Sequence, residues 1–161
     1  MEYIFYQAVF NLIFCCLLGA AAWEDLKRRR IPHGLGAGVA CLGIWKVFWE
    51  AGDVSGLAEG LADSLGGVCF GMGVFLVILL IRPGAFGGGD VKLLAAGGVY
   101  LGVERTAVAF GLSNLLAGGY CLIAGKLRKE RGRQIAFAPF LGAGMALSCF
   151  FGEMLWKWYI G

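Results

Sequence analysis

Long apolar runs alternate with short charged breaks along this chain. Apolar residues dominate 4–23, 34–50, 60–81, 89–101, 104–125 and 135–158, and most charges lie between the runs or near their ends. A helix needs roughly 20 apolar residues to cross a bilayer's hydrocarbon core. The pattern therefore predicts an all-α polytopic membrane helix bundle with about six transmembrane helices, in one membrane-embedded domain over 1–161. The fourth run is short for a full crossing, so it is tilted or begins below the membrane surface. The 28 glycines are spread through the runs. Small residues let membrane helices approach closely, where packing replaces the hydrophobic drive.

Composition supports this reading. The chain is 59% hydrophobic and 16% charged, against about 45–50% and about 25% for soluble domains. The excess apolar surface faces lipid. Only Glu2 precedes the first run and basic residues follow it, the reverse of a signal peptide's order, so no cleaved leader is expected.

Lys and Arg in short loops set orientation. One set of alternate loops holds Lys27, Arg28, Arg29 and Arg30, then Arg82, then Lys126, Arg128, Lys129, Arg131 and Arg133. The opposite loops hold Glu50 and Asp53, then Glu104 and Arg105. The basic set is expected in the cytoplasm, against anionic lipid, with both termini outside. Nothing resembles a nucleic-acid recognition module, so no nucleic-acid partner is expected.

The six cysteines, Cys15, Cys16, Cys41, Cys69, Cys121 and Cys149, form no C-x-x-C pair and sit in apolar runs. They read as small packing residues, neither a zinc site nor a disulfide framework. His33 is the one histidine. No metal and no cofactor is expected. Ser–His and Cys–His catalysis is excluded, and no G-x-S-x-G occurs.

The carboxylates remain. Asp25, in "WEDLKRRRIPHGL", ends the first run, and Asp90, in "FGGGDVKLL", starts the fourth. Both fall on the cytoplasmic side at similar depth, and carboxylates near a bilayer usually mark function. Glu24 competes with Asp25, but a helix points it about 100° away. Glu59 and Asp63 are expected to share a wet face, and Glu153 to lie near Lys157. Each aspartate has a structural alternative. Asp25 can pair with the basic loop, Asp90 can favour a helix N-terminus, and the glycines can form a flexible turn. Together they suit one reaction. Facing carboxylates share a proton; the ionised one activates water and the protonated one donates to a peptide carbonyl. The glycines would let a peptide backbone approach.

These residues resemble the type IV prepilin peptidases, membrane aspartic proteases with a G-x-G-D motif. Gly87, Gly89 and Asp90 supply that motif, and "GGGDVKLLAAGGVYLG" continues it. "DLKRRRIPHGL" resembles the family's first-aspartate segment, and "IAFAPFLGAG" its later proline-containing stretch, with Pro139 matched and the first proline not. The resemblance covers nearly the whole chain, in order. It implies cleavage of the basic leader of prepilins or pseudopilins, after a glycine, at the cytoplasmic face of a bacterial inner membrane. Asp25 and Asp90 carry over as the catalytic pair, titrating as a unit. Gly87, Gly89, Lys92, Glu24 and Pro139 carry over as supporting residues. Lys92 would tune the pair's charge or meet a neighbour. His33 stands where many short relatives have Asn. Without the paired C-x-x-C insertion of the larger bifunctional members, the chain resembles the short branch serving Flp-type (tight-adherence) pili, with no N-methyltransferase activity. A basic leader is expected to avoid the basic loops and contact Glu24, Asp25 and Asp90.

Two other readings stay open. A presenilin-like or signal-peptide-peptidase-like protease shares G-x-G-D, but Asp25 followed by basic residues and Ile31–Pro32 argues against it. A small transporter or a pilus assembly scaffold is the alternative of a different class. Transporters would show mid-depth acids and matched broken helices. The sequence does not give the oligomeric state.

Overall fold

The structure, a computed structural model, describes residues 2–28, 31–83, 87–127 and 136–160, with side chains placed at 5–28, 31–83, 87–123, 136–152 and 154–158. Arg29, Arg30, Arg128, Lys129, Arg131 and Arg133 of the basic loops, and the side chains of Glu2, Lys126 and Glu153, lie outside the described residues. Among the described residues five helices follow one another: α1 Glu2–Arg28, α2 His33–Glu50, α3 Val54–Ile81, α4 Gly88–Leu127 and α5 Ala138–Ile160. No strand occurs among the described residues.

The helix starts follow local chemistry. Pro32 cannot continue a helix from its N-side, and its carbonyl accepts Leu35 N–H at 3.1 Å to open α2. Asp53 caps α3, accepting Gly56 N–H at 2.8 Å, which meets one of the donors orphaned at a helix start. Pro139 sits in the first turn of α5, where its missing N–H leaves no bond unmade.

α4 is broken at Gly102, with φ 76° and ψ −177°, a region open essentially to glycine. Neighbouring contacts show what the break does. Gly71 of α3 packs on Leu94 and Gly67 on Gly98, so numbers fall along α3 as they rise along the first limb, 88–101. Beyond the break Gly66 meets Val103 and Phe75 meets Phe110, so the two now rise together. The second limb, 103–127, therefore runs back antiparallel to the first. Counted by limb, the described residues form six helical segments, matching the six apolar runs. The short fourth run is the arm of a hairpin.

Phe5–Arg28, Val54–Ile81 and Gly88–Ile123 are long and apolar enough to cross a membrane, and Ala138–Gly152 is a shorter apolar helix. The third stretch contains both limbs. Trp45, Leu80, Leu115, Leu122 and Trp158 are exposed on the outside. In water they would be a liability; in lipid they are the expected surface. The protein is an integral membrane helix bundle. Its core packs Phe14, Leu18, Phe75, Leu93, Leu94, Leu141 and Met145. Gly67 and Gly98 touch backbone to backbone, with no room for a Cβ at either. This is the close approach that small residues permit.

α1 and α5 run antiparallel. Asp25 meets Ala138, Leu18 meets Gly142 and Asn11 meets Cys149. Asp25 and the starts of α4 and α5 thus share one end of the bundle. Asn11, Lys46 and the Gly102 reversal share the other.

That second end carries a polar network. The reversal frees backbone groups, and side chains from four helices meet backbone around it. Asp63 of α3 accepts Val103 N–H at 3.0 Å, and Ser64 donates to Val99 O at 2.8 Å. Lys46 of α2 donates to Tyr100 O at 3.3 Å, Ser148 of α5 to Arg105 O at 2.6 Å, and Thr106 to Gly102 O. Asp63 and Glu59 are both exposed, as the wet-face expectation has it, and Asp63 in addition holds the start of the second limb. Tyr100 is the hub. Its ring stacks on Phe14 at 4.1 Å, its hydroxyl donates to Asn11 at 2.7 Å, and Lys46 Nζ lies 4.7 Å from its centroid.

Candidate active site

Asp25 lies near the end of α1, inside the helix, and Asp90 in the first turn of α4. Both side chains are buried, at 9% and 8% exposure, and both line one cavity of about 640 Å³. They are near enough for the charge of Asp25 to act on Asp90.

Each carboxylate is fixed by backbone. Asp90 Oδ2 accepts Gly87 N–H at 3.3 Å while Asp90 N–H donates to Gly87 O at 3.1 Å. This is half of a capping box: the Asp90 side chain reaches back to the N–H of the residue before the helix, while its own N–H meets a backbone carbonyl because Gly87 has no side chain to offer. The helix-start reading of Asp90 is therefore correct as far as it goes, and it also fixes where the carboxylate points. Asp25 Oδ2 accepts Ala138 N–H at 3.3 Å. The start of α5 has few donors to offer. Phe140 and Leu141 both donate to Phe137 O at 3.0 Å, and Pro139 has no N–H. Ala138 N–H is left for Asp25.

The glycines act differently from one another. A Cβ at Gly89 would press on Ile31, so its bare face is filled by the chain's own Ile31. Gly88 has nothing nearby, and Gly87 faces Asp90 Oδ2. All three line the cavity. Clearance for a bound backbone is therefore open at Gly88, and at Gly89 it is used by Ile31.

The supporting residues divide. Gly87, Gly89 and Lys92 line the cavity. Lys92 Nζ lies 3.5 Å from His33 Nδ1, so the neighbour expected for Lys92 is the one histidine. Glu24 and Pro139 do not line it. Glu24 pairs with Arg28 one turn on, at 3.2 Å, although the geometry is not that of a hydrogen bond. Pro139 contributes by omission, through the N–H it lacks. Sequence reasoning missed Ala138 and Ile31. A backbone donor has no residue signature, but the proline after Ala138 marks a helix start where one donor stays free. Among the described residues no cluster of His, Cys, Asp and Glu has the make-up of a metal site.

An all-α membrane bundle with two buried carboxylates on one cavity, each aimed by a helix start, defines the class. The sequence signature of the type IV leader peptidase family matches residues 12–122, and the chain belongs to that family. It is 36% identical over 152 residues to the prepilin leader peptidase/N-methyltransferase of Bacillus subtilis (strain 168), covering 92% of this chain and 58% of that protein. The protein of that name in Legionella pneumophila is 29% identical over 162 residues, 96% of this chain and 54% of the relative. The one in Escherichia coli (strain K12) is 28% identical over 153 residues, 92% and 64%. The chain thus spans between half and two thirds of the length of these relatives. No solved structure matches it.

Proposed function

We propose that this protein is an aspartic endopeptidase that removes the basic leader of prepilins or pseudopilins after a glycine, at the cytoplasmic face of a bacterial inner membrane. The observation that carries the reading is the pair of buried carboxylates on one cavity in a chain of this family. Like charges so placed share a proton. The ionised carboxylate takes a proton from water as the water oxygen bonds to the peptide carbonyl carbon. The protonated one gives its proton to the carbonyl oxygen. The tetrahedral intermediate then collapses, the C–N bond breaks and a proton passes to the departing amine. No metal and no cofactor is needed for these steps. The orientation is cytoplasmic for the dyad and external for both termini, on the strength of the basic loops.

Asp25→Asn and Asp90→Asn each keep the shape and the backbone hydrogen bond but cannot ionise. Each should lower cleavage of a leader-bearing pilin by about 10²–10⁴-fold or more, the usual scale of a lost acid–base group. Purified wild type and variants in detergent, assayed by mass spectrometry of the products, give the answer. Near-normal cleavage by a folded Asp90→Asn protein would sink the proposal. Cleavage of a plain transmembrane peptide in preference to the leader would move the assignment to a presenilin-like protease.

A further inference from the structure

The dyad cavity is larger than two carboxylates and a water require, and most of its length is apolar. From Asp90 it follows α4 to Val99, about 14 Å at ~1.5 Å per residue. Lys92, Ala96 and Val99 recur at the i, i+4, i+7 spacing of one helix face. Gly36, Ala37 and Ala40 of α2 form the facing wall, and Val68 of α3 lies at the far end. Gly36, Ala37 and Ala40 on α2, with Ala95 and Ala96 on α4, keep space between the helices, and Ile31, Leu93 and Val99 add apolar lining. The carboxylates and the exposed Lys92 and His33 stand at one end. Nothing polar lines the cavity beyond them.

Two features indicate what fills such a slot. The space is continuous with the reacting carboxylates, so an occupant reaching them extends into it. The polarity also changes along its length, from charged at the dyad to apolar at depth. A peptide whose scissile bond lies at the dyad, polar before that bond and apolar after it, matches both. We propose that the slot between α2 and the first limb of α4 holds the start of the apolar segment following the scissile bond, in extended form, and that Ala37 and Ala40 set how large its side chains are. About four extended residues span the depth at ~3.3 Å each. The proposal rests on the leader-cleavage reading and adds to it a site for the product side of the substrate. The slot would also determine which apolar segments qualify as substrates.

The experiment compares two substrates with the same leader. One carries the complete apolar segment and the other stops just past the cleaved bond. Steady-state cleavage in detergent gives the ratio of kcat/KM, long over short. In the wild type that ratio exceeds one. Ala40→Phe should reduce it by about tenfold or more, the scale on which apolar pockets discriminate single side chains, mainly through KM of the long substrate. Ala40→Leu should fall between, and small residues facing Ala40 in the long substrate should restore the ratio. Leu115→Phe, on the exposed outer surface, should leave it unchanged. Thermal unfolding of each variant reports folding separately. Equal losses on both substrates, or an unchanged ratio in well-folded Ala40→Phe, overturn the slot and leave leader cleavage intact. Wild type that cleaves neither substrate removes the underlying reading, and the slot with it.

Discussion

The two ends of this bundle both bury charge in an apolar protein, and they treat it in opposite ways. At the Gly102 end, Lys46, Asp63, Ser64 and Ser148 are bound to backbone groups around the reversal. Charges of both signs are present, and Lys46 lies 4.0 Å from Glu50. At the dyad end, two carboxylates share a cavity. Each is held by one backbone N–H through Oδ2. Buried polar groups that satisfy backbone stabilise a fold. The dyad carboxylates also meet backbone, but keeping two of them together on a cavity carries a cost, which on the proposed reading is retained for chemistry. The comparison gives a rule for buried charge in such bundles: what matters is whether the group's partners account for it.

The largest effect on stability should come at the reversal. Gly102→Val puts a β-branched residue into a conformation costing about 1–3 kcal/mol. Its Cβ would also collide with the Asp63 carboxylate. Displacing that carboxylate from Val103 N–H should cost about 0.5–1.5 kcal/mol more, the net worth of an exposed hydrogen bond. Denaturation in mild detergent should show the variant unfolded or strongly destabilised. A Gly102→Val protein as stable as wild type would mean that the hairpin does not depend on this geometry.

A smaller effect separates the two ends directly. Lys46→Met keeps the bulk of the chain but leaves Tyr100 O unmet and Glu50 without its cation. A loss of about 1–3 kcal/mol is expected, with kcat of the surviving folded enzyme little changed. Asp90→Asn should do the reverse, keeping or raising stability while cleavage disappears, because a neutral amide no longer competes with Asp25 for the shared proton or adds charge beside it. Matched unfolding and cleavage measurements on the pair test this. If Lys46→Met removed activity with no change in stability, the two ends would not differ in kind.

Much of this was legible in the sequence. Apolar runs gave the six helical segments because lipid removes the alternative of an irregular exposed backbone. Asp25 and Asp90 stood out because carboxylates are rare at that depth. What stayed hidden depended on three-dimensional register. The hairpin at Gly102 looked like one more interhelical loop, since a glycine's φ leaves no mark among 28 glycines. Asp63 is exposed as expected, but its backbone partner lies forty residues away and left no sign in the sequence. Lys46 sits inside an apolar run, which is itself an available sign of a buried role. Gly89 was read as clearance for substrate, but Ile31 comes from another segment to fill it.

The smallest expected effect lies outside the membrane, at the cap of α3. Asp53 is fully exposed, and Gly56 N–H, then the Ser55 hydroxyl at 2.7 Å, hold its carboxyl below its usual range. A depressed folded-state pKa means the stabilisation is present above the unfolded value, near 3.9. It is lost as pH falls through the lower folded value. Asp53→Ala should therefore lower the unfolding midpoint slightly at neutral pH, and the gap to wild type should close in acid below ~3.9. Asp53→Asn, an equally good cap without ionisation, should keep the midpoint and lose the acid dependence of this site. The cap lies near the Gly102 end and far from the dyad, so neither change should move the pH profile of cleavage. A shifted profile in Asp53→Asn would show that charge at this end reaches the dyad, and the separation of the two ends would then be one of degree.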